Sequence, residues 1–150
     1  MGRTGEAFEE MPLYKTQAQQ YLHYNKGSVV MMAIYDRLGE KRLNAALKAF
    51  LNEFRYQSTP YPTTLDLLSY LEQDATQAEQ NFIDDQFKYI TLYELEMKEV
   101  SISDEADSEG FYSVTLNVEA VKQRADGQGE ETEQPLDELI DIVLFSDDPE

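Results

Sequence analysis

The sequence predicts an α+β fold, in which an N-terminal helical bundle of about four helices precedes a small antiparallel β-sheet or partial β-sandwich. Apolar residues recur at three- and four-residue spacing in the first part of the chain, and at every second position from Tyr89 onward. Clusters of Pro, Gly and acidic residues separate these runs. The predicted parts are a poorly defined segment 1–20, a helical part 21–88 and an antiparallel β region 89–150.

The first two predicted helices have clear apolar faces. "SVVMMAIYDRL" carries apolar residues at four-residue steps, and Gly39 is expected to end that helix. "EKRLNAALKAFLNEFRYQ" is the most clearly amphipathic stretch. The residues expected to face inward are Val30, Ile34 and Leu38 in the first helix, and Leu43, Leu47, Phe50, Leu51 and Phe54 in the second.

Two further helices are predicted before the β region. Thr63 and Asp66 have the spacing of a capping box, which indicates that a helix opens at "TLDLLSYLEQ". The last helix is expected to run roughly from Ala75 to Phe87. Its residues predicted to face inward are Ala78, Phe82, Ile83 and Phe87.

Three strands are predicted in the β region. In "YITLYELEMKEVSI" the apolar alternation changes phase, so a bulge or turned strand is expected near Glu99. "FYSVTLNVEAVK" alternates without a break, and the residues expected to face inward are Tyr112, Val114, Leu116, Val118 and Ala120. The Gly-rich "ADGQGEE" is typical of a hairpin turn. "DELIDIVLF" is predicted as a last strand that is apolar on both faces, with its cover expected from the helices or from further polypeptide.

Charge restricts the partners of this chain. Acidic residues number 30 against 12 basic ones, which gives a formal net charge of -18. Because this field repels phosphate backbones and anionic lipid surfaces, we expect no nucleic-acid partner and no membrane contact by the chain itself. The sequence indicates neither an oligomeric state nor a compartment.

Metal and thiol chemistry are restricted by residue counts. The chain has no cysteine, which excludes disulfides, thiolate zinc sites and cysteine nucleophiles. It has one histidine, His23, whereas the metalloprotease signature H-E-x-x-H needs two on one helix face. We therefore expect no metal ligands and no cofactor-binding residues in this chain. The acidic loop "SDEADSEG" lacks the spacing of a calcium loop and is interpreted as a solvated hairpin loop.

An ordered series of short motifs resembles the aminopeptidase N family of zinc metallopeptidases, the gluzincins. The series consists of "YNKG" before a buried helix, a Leu-Gly break, an amphipathic helix ending in "FLNEFRYQS", and a helix opened by Thr-x-Asp. In the family, this series lies C-terminal to the zinc ligands. The strand-rich region that follows looks like that of bacterial proteins in which a transporter permease is fused to such a peptidase, so the chain is expected to be the soluble part of a bacterial membrane protein.

The resemblance implies a catalytic role for Tyr24. In the family, the tyrosine of Tyr-x-Lys-Gly donates a hydrogen bond to the oxyanion of the zinc-bound intermediate, which is a suitable task for a neutral phenol. Zinc is expected in the full-length parent, but the H-E-x-x-H helix, the third zinc ligand and the motif that holds the substrate's amino group are absent here. We therefore expect a fragment that is inactive alone, with the zinc-ligand half of the parent as its partner and a peptide as the parent's substrate.

Other interpretations of these residues stay open. Tyr24 could be an aromatic residue that packs against the following helix, and Tyr21 could pack or form a second wall of a cleft. His23 is interpreted as a surface residue, since it has no partner histidine. Gly27, after Lys26, is expected to permit close backbone packing. The alternative function is a non-catalytic interaction or scaffolding module, supported by the anionic field and by the apolar strand 139–145.

Overall fold

The structure, a computed structural model, describes residues 9–16 and 19–145. In these residues four α-helices precede a three-stranded antiparallel sheet, which confirms the predicted α+β arrangement. The elements are α1 (Gly27–Leu38), α2 (Glu40–Phe54), α3 (Thr64–Glu72), α4 (Gln77–Phe87), β1 (Ile90–Ile102), β2 (Val114–Ala125) and β3 (Glu131–Gln134), preceded by a 3₁₀ turn (Leu13–Lys15) and a π-helical turn (Tyr21–Lys26). The prediction for residues 1–8, 17 and 18 lies outside the described residues.

Gly39 ends α1, as the sequence predicts, and it also starts α2. Its φ of 80° lies in the left-handed region that favours glycine. Its N–H donates to the carbonyl of Tyr35, and its carbonyl accepts from the N–H of Leu43. One residue therefore caps the C-terminus of one helix and the N-terminus of the next. The predicted inward residues of α1, namely Val30, Ile34 and Leu38, are all buried.

The apolar face of α2 is narrower than the sequence predicts. Leu43 is 6% exposed, whereas Leu51 is 61% exposed, so the inward placement of Leu51 is wrong. With 3.6 residues per turn, Phe50 and Phe54 lie within about 20° of Leu43 around the helix, but Leu51 lies about 80° away. The rings of Phe50 and Phe54 contact Tyr70 of α3 at centroid distances of 5.9 and 6.2 Å. The helix thus packs on one side only, and Leu51 lies at the edge of that side.

Capping boxes open both later helices. The predicted box of Thr63 and Asp66 is confirmed at the start of α3. A second box, formed by Thr76 and Glu79, starts α4 at Gln77, two residues after the predicted start. Ala78 lies in the first turn of α4 and is exposed, so its predicted inward placement is wrong.

Glu79 also connects α4 to α2. Its two carboxylate oxygens accept hydrogen bonds of 2.7 and 3.1 Å from the guanidinium of Arg42. The Arg42 hydrogen bond, and after it the backbone N–H of Thr76, holds the pKa of Glu79 at about 2, below its ordinary value of 4.5. The ionised form of Glu79 is therefore favoured in the folded chain.

The apolar core lies between the four helices and the N-terminal 3₁₀ turn. Ile34 and Ile83 are 0% exposed and lie at its centre. Leu13 of the 3₁₀ turn joins this core, a contact that the sequence did not indicate. The buried members are Leu13, Val30, Ile34, Leu38, Leu43, Leu68, Leu71, Ile83 and Phe87.

The predicted bulge in β1 is confirmed. Met97 pairs with Val118 and Glu99 pairs with Asn117, so Lys98 is the extra residue. Without it, the change of phase in the sequence would place Val100 and Ile102 on the face opposite Met97. With it, Val100 pairs with Leu116 and the apolar side chains of β1 stay on one face of the two-stranded β1–β2 ribbon. The predicted inward placement of Tyr112 and Val114 is wrong, because they are 61 and 37% exposed.

Lys98 also separates two like charges. Glu96 and Glu119 are direct cross-strand partners, an arrangement that is destabilising when it is uncompensated. The ammonium of Lys98 lies 2.5 Å from a carboxylate oxygen of Glu96 and 2.7 Å from one of Glu119. The bulge residue Lys98 therefore supplies the counter-charge for the two glutamates, which lie on the face of the sheet opposite Met97.

The predicted strand "DELIDIVLF" is wrong. The third strand is β3, which pairs with β2 from Lys122 to Ala125 and ends at Gln134. Pro135 follows, and since proline has no N–H, it cannot continue the ladder. Segment 137–145 has no strand pairing in the structure, with Leu139 82% and Phe145 91% exposed. An apolar sequence does not by itself form a β-strand, because a strand also needs a neighbouring strand with which to pair.

The predicted Gly-rich hairpin turn connects β2 to β3. The Asp126 carboxylate accepts hydrogen bonds from the backbone N–H groups of Gln128, Gly129 and Glu130. These bonds lower the pKa of Asp126.

None of the helices in the described part of the chain combines the length and apolarity that a membrane span requires.

Replacement of Leu43 and of Leu51 by alanine tests the one-sided packing of α2. Leu43→Ala removes a buried side chain and should lower the free energy of unfolding by about 2 to 5 kcal/mol. Leu51→Ala makes the same change in the same helix and should cost less than about 0.5 kcal/mol, as at exposed sites. Urea denaturation followed by circular dichroism measures both. Equal losses would contradict the packing described here.

The ion pair of Glu79 predicts an acid-dependent contribution to stability. Because the folded pKa is depressed, this contribution is complete above pH about 4.5 and is lost as the pH falls through about 2. Glu79→Gln should therefore be less stable than the native chain at pH 7, and the difference should shrink as the pH falls. Urea denaturation at a series of pH values between 7 and 2 measures this. A constant difference down to pH 2 would show that ionised Glu79 contributes nothing.

Candidate functional site

Tyr24 lies on the π-helical turn that runs directly into α1. The N–H of Gly27 donates to the carbonyl of Leu22, five residues earlier, which is the hydrogen bond that defines such a turn. Leu22 is 1% exposed and anchors the turn, whereas Tyr24 is 64% exposed. The backbone of Tyr24 is therefore held by the core while its ring lies in solvent. π-Helical turns occur frequently at functional sites.

The neighbours of Tyr24 give it a defined backbone setting. Ser28 Oγ donates to the carbonyl of Tyr24 at 2.5 Å, and the ring of His23 lies 4.6 Å from the Tyr24 ring, centroid to centroid. Tyr21, one turn earlier, is 52% exposed. Burial lowers the pKa of the Lys26 ammonium, and the negative charge of Glu10 offsets part of that shift. Tyr21, His23 and Tyr24 thus lie together on one turn, where a phenol can donate a hydrogen bond outward.

Gly27 is not required for close packing, contrary to the prediction from sequence. A Cβ placed on Gly27 would lie 3.6 Å from the carbonyl oxygen of Leu22, which is an ordinary van der Waals contact. Its φ of -58° is open to any residue. Alanine would therefore fit at this position.

The part of the chain that the structure describes does not fit a catalytic zinc. No group of three or more His, Asp or Glu side chains in it is placed to hold a metal ion. His23 is the only histidine of the sequence, and a catalytic zinc takes three protein ligands that usually include two imidazoles.

A buried charge cluster, formed by Asp85, Lys122, Arg124 and Glu138, lies between α4 and the sheet. Asp85 is 2% exposed, and its carboxylate accepts from the Lys122 ammonium at 2.5 Å and from the Arg124 guanidinium at 2.6 Å. The Lys122 ammonium also donates to the Glu138 carboxylate at 2.5 Å. The cluster thereby connects α4, β2 and the segment after β3. A buried carboxylate needs partners of this kind to remain charged.

The cluster raises the pKa of Lys122 and of the neighbouring Tyr93. Burial lowers the pKa of Lys122, but the hydrogen bonds to Asp85 and Glu138 outweigh it, so that the pKa is raised overall. Burial raises the pKa of Tyr93, and the nearby charges of Glu138 and Asp85 raise it further. The Tyr93 hydroxyl donates to Glu138 at 3.3 Å. Lys122 therefore stays protonated and Tyr93 stays neutral across the physiological pH range.

An open cleft of about 470 Å³ lies beside the buried charge cluster. Arg124 covers the ring of Tyr89 on the cleft wall, with its guanidinium carbon 3.6 Å from the ring centroid. Because Lys122 and Arg124 are already paired with carboxylates, the cleft offers no free cation from β2 for an anionic ligand. The cluster is better suited to joining the sheet to the helices than to proton transfer.

The sequence carried one signal for this cluster. The alternation predicts that Val118 and Ala120 face inward, and it places Lys122 and Arg124 on the same face of β2. In the structure Lys122 is buried, whereas Val118 and Ala120 are half-buried. Two basic residues in inward positions require buried acidic partners. Asp85, which lies between Ile83 and Phe87, is that partner.

Comparison with known proteins adds no further assignment. No family model, no curated protein and no solved structure matches this chain.

Substitution of Asp85 tests the structural role of the buried charge cluster. Asp85→Asn removes the charge that compensates Lys122 and Arg124, and breaking a buried pair in this way should cost about 3 kcal/mol of unfolding free energy. The neighbouring Asp84 pairs with Lys88 at the surface, so Asp84→Asn should cost less than about 1 kcal/mol. Urea denaturation compares the two variants. A similar small loss in both would show that Asp85 does not join α4 to the sheet.

Proposed function

We propose that this chain is part of a zinc aminopeptidase of the gluzincin type, corresponding to the C-terminal side of the catalytic domain and the β region after it. The zinc ligands and the general base would come from polypeptide outside this chain. The reaction would be metal-assisted hydrolysis of the N-terminal peptide bond of a substrate. By itself, the chain would bind no zinc and hydrolyse no peptide.

The setting of Tyr24 carries this proposal. The residue combines a solvent-exposed ring with a backbone anchored by buried Leu22, and the turn continues into the core helix α1. An oxyanion donor must be preorganised, so that little reorganisation is needed when negative charge develops. A phenol on an anchored turn meets this requirement. An aromatic residue that served only to pack would be expected to bury more of its ring than Tyr24 does.

The order of motifs supports the same proposal. The glycines and the aspartate of these motifs lie where helices begin or end. Gly27 begins α1, Gly39 separates α1 from α2, and Asp66 belongs to the capping box of α3. The series therefore describes a real order of helices in this chain. It does not depend on the segment 137–145, where the strand prediction was wrong.

No described residue of this chain would hold the zinc. Held by other polypeptide of the parent, the metal would supply Lewis-acid chemistry for the hydrolysis. The contribution of this chain would be the hydroxyl of Tyr24, which donates a hydrogen bond to the oxygen that gains negative charge. Because the interaction strengthens as the charge develops, it would lower the barrier more than it would tighten substrate binding. Tyr24 would remain neutral throughout, with no net proton transfer.

Replacement of Tyr24 by phenylalanine in the complete polypeptide tests the proposal. Tyr24→Phe removes one hydroxyl, and it should lower kcat by about 10²- to 10³-fold, as does loss of an oxyanion donor elsewhere. The zinc content should not change. Tyr21→Phe is the matched control, because it removes the same group one turn earlier and should leave kcat within about threefold. Steady-state kinetics on an aminoacyl chromogenic substrate, with metal analysis, measures both effects.

Two results would overturn the proposal. If no H-E-x-x-H sequence lies upstream in the complete polypeptide, the protein is not an active gluzincin. If Tyr24→Phe and Tyr21→Phe have equal kcat, Tyr24 is not the oxyanion donor. The first result would favour the second candidate, a non-catalytic interaction module, for which the exposed apolar surface of the β-ribbon is the supporting observation.

A further inference from the structure

One face of the β1–β2 ribbon carries an uncovered apolar surface. Four consecutive cross-strand pairs contribute to it, and their β1 members Leu95, Met97, Val100 and Ile102 are 56, 48, 52 and 62% exposed. We name this surface the apolar stripe. It consists of Leu95, Met97, Val100 and Ile102 of β1 and of Val114, Leu116, Val118 and Ala120 of β2.

The bulge at Lys98 keeps the stripe continuous. It interrupts the ladder for one residue, and by doing so it keeps Val100 and Ile102 on the same face as Met97. If this face were exposed only to solvent, placing its apolar side chains together would not stabilise the protein. A continuous apolar face is what a second packed layer requires.

No element in the described ranges 9–16 and 19–145 covers the stripe. β3 pairs only with the other end of β2, from Lys122 to Ala125. The segment after Pro135 reaches the sheet through Glu138, at Lys122 and Tyr93. Beyond that point Ile140 is half-buried, and Leu139 and Phe145 are exposed. On this face of the ribbon, Glu138 therefore contacts the end that carries Lys122 and Tyr93, whereas the end that carries the apolar stripe is exposed.

The charges around the stripe restrict its occupant. The loop at the tip of the ribbon carries Asp104, Glu105, Asp107 and Glu109. The reverse face of the ribbon carries Glu94 and Glu99, together with Glu96 and Glu119, which are paired with Lys98. A second copy would bring another charge of -18, and the chain's own segment 139–145 would bring Asp141. Electrostatic complementarity instead favours an occupant with basic residues beside its apolar face.

The dimensions of the stripe fit one α-helix. Two strands lie about 4.8 Å apart, and eight residues of strand extend about 26 Å. A helix is about 10 Å wide and rises 1.5 Å per residue, so about 17 residues would cover the stripe from end to end. We propose that the apolar stripe is the docking surface for a basic amphipathic helix of another polypeptide. This proposal does not depend on the role of Tyr24.

Binding of a synthetic helix by the full chain tests the proposal. The probe is a fluorescent peptide of about 17 residues, built from Leu and Lys with the helical period. A peptide of the same composition in scrambled order and a Leu–Glu peptide of the same period are its controls. Fluorescence anisotropy should show saturable binding of the amphipathic Leu–Lys peptide, and binding at least about tenfold weaker for both controls.

Two adjacent substitutions locate the binding surface. Val100→Glu and Ser101→Glu introduce the same charge at neighbouring exposed positions on opposite faces of the ribbon. Val100→Glu should weaken binding of the amphipathic Leu–Lys peptide at least about tenfold, and Ser101→Glu should change it less than about threefold. Val100→Thr, which keeps a β-branched side chain, provides a variant that should fold normally and still bind more weakly.

Three results would overturn the proposal. The first is equal binding of the amphipathic and scrambled peptides, or no binding of either. The second is self-association of the native chain in sedimentation experiments that Val100→Glu abolishes, because a second copy would then be the occupant. The third is an NMR contact between Leu139–Phe145 and the apolar stripe in the free chain, because the chain would then cover its own surface.

Discussion

The arrangement of this chain depends on the buried carboxylate of Asp85. Its side chain accepts from Lys122 and Arg124 of β2, and its backbone carbonyl accepts from the hydroxyl of Thr91 in β1. α4 leads into β1 after only a few residues, so these bonds fix the direction in which the sheet leaves the helices. Two apolar residues could fill the same space, but they would not select one orientation. We infer that the charges here provide specificity more than net stability.

The contacts of Asp85 with the sheet lie at one end of the β1–β2 ribbon, so the two ends of one ribbon face differ in chemistry. At the helical end, Lys122 and Tyr93 form a cross-strand pair, and both contact Glu138. Beyond them the same face becomes the apolar stripe, with no cover from the described residues. Since the charged end is held by hydrogen bonds of defined geometry, the apolar end is presented at a fixed angle from the helical core. A preorganised surface of this kind loses less entropy when a partner binds.

Local sequence patterns predicted the parts of the fold that depend on local physics. The four-residue spacing of Val30 and Ile34, the capping box at Thr63 and the phase change that indicates a bulge or turned strand near Glu99 all act over a few residues. Local patterns do not identify Asp85, because its partners lie 37 and 39 residues away and periodicity indicates only which apolar positions face inward. The strand prediction for segment 137–145 is wrong because an apolar composition does not determine whether a neighbouring strand is available for pairing. A resemblance points to Tyr24, but periodicity indicates neither its exposure nor its π-helical turn.

The two proposed surfaces depend on different parts of the structure. Tyr24 is positioned by Leu22 and by the start of α1, whereas the apolar stripe is positioned by Asp85 and by the bulge at Lys98. Weakening the contacts of Asp85 with the sheet would therefore disturb the stripe before the turn of Tyr24, because that turn is anchored by Leu22 and runs directly into α1. Mutations at distant sites without shared partners act independently. The catalytic proposal and the docking proposal can consequently fail separately, and a result for one does not decide the other.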